Sequence, residues 1–146
     1  MPRPRKSANV GVAHGSWGED VATEYLRVRG FEILERNVRP CPWDARLEID
    51  IVAYLKGSDT LVFVEVKQHK SRDERQTRLR SITRRKKELL RRAFRTWLRR
   101  NHWHGAYRFD VIEVYGVPEA GRKAEIDHLE RVQIFVKDER YVNWCD

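Results

Sequence analysis

The spacing of hydrophobic positions changes period several times along the chain, and each change marks a new element. Val21, Ala22, Tyr25 and Leu26 fall on one face of a helix, which Ser16 and Glu19 open as a capping box and Gly30 closes. Phe31, Ile33 and Val38 alternate loosely and predict a strand over residues 31–39, ended by the turn residues Pro40 and Pro42. Two β-branched, apolar-rich runs follow, residues 47–55 and 60–67, with Gly57 and Ser58 between them as the turn of a hairpin. Ile82, Lys86, Leu89, Leu90, Ala93, Phe94, Trp97 and Leu98 then keep helical spacing, so a long amphipathic helix is predicted to about Asn101. Lys86 is the one charged residue in its apolar stripe. Phe109, Val111, Ile112 and Val114 predict a strand over 108–115, and a shorter one follows near 126–129. Residues 132–136 read equally as strand or short helix. The order helix, strand, hairpin, helix, strand predicts an α/β sandwich, a central mixed β-sheet with a helix on each face.

The hairpin register carries the chemistry. With Gly57 and Ser58 at the turn, Asp50 faces Glu65 and Glu48 faces Lys67. Alternation along the strands sends Glu48, Asp50, Glu65 and Lys67 to one face, and Ile49, Ile51, Val64 and Val66 to the other. Two carboxylates directly opposed, with Cβ atoms about 4.5–5.5 Å apart, repel unless something positive lies between them or one is protonated. A divalent cation, Mg²⁺ or Mn²⁺, is the natural occupant, because Mg²⁺ is commonly held by one or two carboxylates together with waters and phosphate oxygens. Surface ion pairs would explain Lys67 but leave Asp50 opposite Glu65 unexplained. The capping box alone would explain Glu19.

Composition places this pattern in one ordinary domain. Residues 1–13 read as a flexible basic arm and residues 14–146 as a single domain. There is no apolar run long enough to span a bilayer and no secretory signal at the start, so a cytoplasmic protein without a membrane partner is expected. Cys41 and Cys145 stand in no metal-type spacing and read as ordinary thiols. Net charge is +8, and it is concentrated: residues 72–100 hold 13 Lys or Arg against three acids, while the rest of the chain holds 17 against 19. Such a segment is the electrostatic footprint of a polyanion partner, nucleic acid first. Arg84, Arg85, Lys87, Arg91, Arg92 and Arg95 on the polar side of the second helix are the candidate phosphate contacts. A solvated charged face and an anionic membrane surface are the competing explanations. His102 and His104 read as helix-end residues, and Trp43 is the one loop-borne tryptophan placed for base contact.

Several motifs in order resemble the YraN family. They are Gly15-Ser16-Trp17-Gly18-Glu19, Ala22, Tyr25-Leu26, Gly30, Arg36-Asn37-Val38-Arg39, Glu48-Ile49-Asp50-Ile51, Val62-Phe63-Val64-Glu65-Val66-Lys67 and Arg108-Phe109-Asp110-Val111. That family is similar to the PD-(D/E)XK nucleases of restriction-endonuclease-like fold, especially the archaeal Holliday-junction resolvases. The resemblance implies that Asp50, Glu65 and the main-chain carbonyl of Val66 hold the metal. It further implies that Lys67 orients the water or steadies the charge on phosphorus, and that Glu19 is the acid supplied by the first helix. Leu47 stands where the family usually has glycine, Ile49 where the nuclease signature has proline, and Gln68 opens a stretch that often carries arginine at its second position. The expected activity is metal-dependent phosphodiester hydrolysis on DNA, including branched repair or recombination intermediates. The alternative is a non-catalytic nucleic-acid-binding module that retained the nuclease fold. The sequence leaves open DNA against RNA, with DNA expected, and monomer against homodimer.

Overall fold

The structure is a computed structural model that describes Pro4 and residues 17–72, 82–121 and 123–134. Among the described residues two α-helices and five strands run in the order α1 (Trp17–Val28), β1 (Phe31–Val38), β2 (Ile49–Leu55), β3 (Thr60–His69), α2 (Arg84–Arg100), β4 (Ala106–Tyr115) and β5 (Glu125–Leu129). The strands form one five-stranded mixed sheet in sequence order. Every neighbouring pair is antiparallel except β3 and β4, which are parallel. A parallel step needs a long crossover, and α2 is that crossover.

Alternation sorts the strand residues onto two cores. Ile51, Ala53, Val62, Val64, Ile112 and Val114 pack with Ala22 and Leu26 of α1. Val52, Tyr54, Leu61, Phe63, Phe109 and Val111 pack with Leu90, Ala93, Phe94, Trp97 and Leu98 of α2. Phe63 and Phe94 stack with ring centroids 4.3 Å apart, which seats α2 over the middle of the sheet. The expected α/β sandwich with a helix on each face is therefore present, in a form compatible with a restriction-endonuclease-like domain.

The hairpin keeps the expected register, with Ile51 opposite Val64 and Leu55 opposite Thr60. Its connection differs. A single 3₁₀ turn over Lys56–Ser58 is followed by Asp59 in the left-handed region (φ 48°), so Asp59, not Gly57, absorbs the reversal. The Tyr54 hydroxyl donates to the Asp59 carboxylate, and a short acidic side chain tolerates that backbone better than most. β2 starts only at Ile49, and this corrects two expectations. Glu48 lies outside the β2–β3 ladder and pairs with Arg39 at 3.7 Å rather than with Lys67. Ile49 joins the α2-side core instead of following Ile51.

Helix α2 begins at Arg84 because Thr83 caps it, its hydroxyl accepting the Lys86 N–H at 3.1 Å. Gly30 follows α1 with φ 87°, the conformation expected of a residue just past a helix end. Residues 132–134 form no regular element. The basic arm apart from Pro4, the Ser16 half of the capping box, the Arg-rich connection over 73–81, and residues 135–136 with Cys145 lie outside the described residues.

Candidate active site

The β2–β3 ladder ends at Ile51 and Val64, and the next residue of each strand is an acid. At Asp50 a side chain takes over from the backbone: Oδ2 accepts the Val66 N–H at 2.8 Å. Glu65 follows Phe63 by two residues and so faces α2. It is 4% exposed. Its Oε1 lies 3.4 Å from Lys67 Nζ and 3.5 Å from Lys86 Nζ, whereas its buried Oε2 has no hydrogen-bond partner among the described residues. A buried carboxylate oxygen left unpaired is costly, so the site is built around an unmet acceptor.

Electrostatics agree with the register. Burial pushes the Asp50 carboxyl up to about 8, and the negative charge of Glu65 pushes in the same direction; Glu19 adds to it, while the Val66 N–H and Lys86 pull the other way. Asp50 and Glu65 thus sense each other across the strand pair as opposed acids should.

Glu19 stands in the first turn of α1. Its Oε2 lies 3.8 Å from Arg36 Nη2, which is itself 2.8 Å from Asp20 Oδ1. Burial raises its carboxyl above the ordinary glutamate range, against the pull of Arg36 and the neighbouring Asn37 amide; Glu48 and Asp20 raise it further. The start of α1 is tied to the end of β3 by Gln68, directly after Lys67, whose Oε1 accepts the Gly18 N–H at 3.1 Å. Glycine at 18 lets that oxygen approach, because a Cβ would meet it at 2.7 Å. One short contact therefore brings Glu19 and Lys67 to the same end of the sheet.

The basic helix is less uniform than its sequence suggests. Arg84 and Arg85 are exposed and Lys87 is half-buried, with Glu88 3.9 Å from Arg84. Arg91 Nη1 donates to the Ile134 carbonyl at 2.7 Å, so it fastens the chain after β5. Arg92 Nη2 lies 3.9 Å from Asp44, whose carboxyl is held near 2 chiefly by hydrogen bonds from Arg46. Arg95 is half-buried and already engaged. Trp43, beside Asp44, is 79% exposed. Lys86 is the residue sequence reasoning did not place. Its only signal was a charge inside an apolar stripe.

Among the described residues no three His, Cys, Asp or Glu side chains are arranged to hold an ion unaided. Asp50, Glu65 and the Val66 carbonyl nevertheless fit the donor set of a hard cation that completes its shell with water and phosphate oxygens. The orphaned Glu65 Oε2 is the observation that favours this fit.

The model of the uncharacterised protein family UPF0102 matches residues 18–114, a span that includes each of these groups. The chain belongs to the UPF0102 family. This is the YraN family of the sequence resemblance. A UPF0102 protein of Pelobacter propionicus is 42% identical over 116 residues, 79% of this chain and 78% of its own. One from Corynebacterium efficiens is 42% identical over 120 residues (81% and 89%), and one from Mycobacterium tuberculosis 37% over 125 residues (83% and 92%). Leu47, which departs from the usual family glycine, is buried in the α2-side core. No described helix is long and apolar enough to cross a membrane.

Proposed function

We propose that this UPF0102 protein is a metal-dependent endonuclease that hydrolyses phosphodiester bonds in DNA, with branched repair or recombination intermediates the first substrates to test. The observation that carries this reading is the juxtaposition just past the last β2–β3 pair: two acids, Asp50 and Glu65, the latter with one orphaned buried oxygen and two ammonium groups on the other. Asp50, Glu65 and the Val66 carbonyl would hold Mg²⁺ or Mn²⁺, which when bound supplies Lewis-acid polarisation of the phosphate and an activated nucleophile. Lys67 offsets charge growing on phosphorus and orients the attacking water. Glu19, at the edge of the site, adds a third acid within electrostatic reach of Asp50. Arg84, Arg85, Lys87, Arg92 and Arg95 track the flanking phosphates, and Arg91 joins them while fastened to the Ile134 carbonyl. Phosphate contacts of this kind position a duplex without reading its sequence.

The test is cleavage of branched, single-stranded and duplex DNA with Mg²⁺ or Mn²⁺. Asp50→Ala and Lys67→Ala are each expected to lower the rate about a hundredfold or more. Activity indifferent to both substitutions removes the assignment. One observation favours the second reading, a binding module without catalysis: Lys67 and Lys86 together already neutralise Glu65 without an ion. Calorimetry separates the two, since a module binds DNA but takes up no Mn²⁺ at pH 7.5.

A further inference from the structure

Lys86 occupies a position that an ordinary helix would give to an apolar residue. It precedes Leu89 and Leu90 by three and four residues on the face that seats α2 against the sheet. It also lies in the first helical turn, where the backbone dipole disfavours a positive charge. Neither burial nor helix electrostatics accounts for it. What accounts for it is Glu65, whose Oε1 it approaches to 3.5 Å from a different element, beside Lys67 at 3.4 Å. Two ammonium groups on one carboxylate oxygen are more than a single glutamate needs. A divalent cation entering that arrangement creates an excess of positive charge, and Lys86 is the partner that comes from a different element. Lys67 lies on the same strand as Glu65, two residues away, whereas Lys86 reaches it from α2 on a long stem whose side chain is about one-third exposed.

We propose that Lys86 is an exchangeable cation: it neutralises Glu65 in the ion-free protein and transfers to a phosphate oxygen of the nucleic acid when a divalent ion takes Glu65. The inference rests on the nuclease reading and goes beyond it, assigning to α2 a positioning residue that senses metal loading. Ion binding and phosphate binding are then linked through one side chain. The ion displaces Lys86 from Glu65, and the released ammonium group adds a phosphate contact that the ion-free protein does not make.

The experiment uses the full chain and the variants K86M and K86R, with K86Q as a second neutral variant should K86M fail to fold. Titration with MnCl₂ in the absence of DNA is followed calorimetrically, and duplex DNA binding is measured against salt in the presence of Ca²⁺. K86M is expected to bind Mn²⁺ about three- to tenfold more tightly, because a competing cation is gone. Its plot of log K against log salt is expected to be shallower by about 0.9, one phosphate contact fewer. K86R, which keeps the charge, should retain the wild-type slope. Unchanged Mn²⁺ affinity or an unchanged salt slope in a folded neutral variant overturns the role of Lys86 while leaving the nuclease reading in place. A wild-type chain that takes up no Mn²⁺ overturns both.

Discussion

Glu65 and Asp110 are both buried acids on the sheet, one facing α2 and the other α1, and their surroundings could hardly differ more. Asp110 is 0% exposed and every oxygen has a donor. Its Oδ2 lies 2.7 Å from His128 Nε2 and accepts from Arg108 Nη2 at 3.0 Å, and its Oδ1 accepts the Arg131 N–H at 3.0 Å. His128 Nδ1 is in turn 3.3 Å from the Tyr25 hydroxyl, so the cluster clasps α1, β4 and β5 together. Glu65 has two ammonium groups on one oxygen and, among the described residues, no hydrogen-bond donor on the other. Burial of an acid is therefore not itself a sign of function. The satisfied acid ties three elements together, and the half-satisfied one keeps an acceptor without a donor among the described residues, which is what the proposed ion would use.

The sharpest way to break this comparison is to remove Asp110 and then Asp50, the acid whose charge Glu65 opposes. Asp110→Ala strands His128 and the Arg131 N–H in a buried setting, leaves Arg108 the half-exposed Glu130 at 3.6 Å, and is expected to cost about 3–5 kcal/mol of stability. Chemical denaturation measures it, and a loss below about 1 kcal/mol would mean that the cluster is not a clasp. Asp50→Asn should do the reverse in ion-free protein, since it removes a charge that burial and Glu65 both oppose.

The sign of the pH effect follows from the same residue. The Asp50 carboxyl holds its proton up to about 8 when folded, against about 4 for an unfolded aspartate. The folded state consequently binds more protons across that window, so stability is expected to fall as pH rises from about 4 to about 8 and to level off above it. The raised carboxyl of Glu19 adds a slope of the same sign at the acidic end. Asp50→Asn is expected to flatten the profile and to stabilise the ion-free protein at pH 8 by a few kcal/mol at most. Denaturant midpoints at pH 5 and pH 8.5, with and without MnCl₂, check this. A wild-type midpoint that rises with pH contradicts it.

The comparison also explains what the sequence could disclose. Alternation along β2, β3 and β4 and the helical stripe of α2 carry the sheet, the faces and the two cores directly, because each is a local period. The Asp50 and Glu65 register was legible although the turn was misjudged: any loop centred on Gly57 and Ser58 pairs the same residues, whether Gly57 or Asp59 bends the chain. Glu48 misled because the pairing was extended past the point where β2 begins. Lys86 stood out only as an anomaly, since its partner lies on another element. The Asp110 cluster left no local trace, its members being 18 residues apart for His128 and Asp110 and 103 apart for Tyr25 and His128. Nor does the charge of Arg91 distinguish a phosphate contact from the anchor on Ile134 that the fold makes of it.

The smallest expected effect tests how the site's edge is held. Gln68 Oε1 satisfies the N–H of Gly18, one of the first backbone donors of α1 that the helix itself leaves unpaired. Gln68→Ala is therefore comparable to losing a helix cap, about 1 kcal/mol. Gly18→Ala should reach a similar cost by the opposite route, because the new Cβ would sit 2.7 Å from Gln68 Oε1 and 3.1 Å from its Cβ, and the amide must withdraw. In the double variant the bond and the 2.7 Å obstacle are both absent, and only the 3.1 Å approach of the two Cβ atoms remains. Alanine is a better helix former than glycine by about 1 kcal/mol, so adding Gly18→Ala to Gln68→Ala should cost nothing or restore some stability. A double-mutant cycle with strongly non-additive losses is the expected outcome. Additive losses would mean that the contact does not fasten α1 to β3.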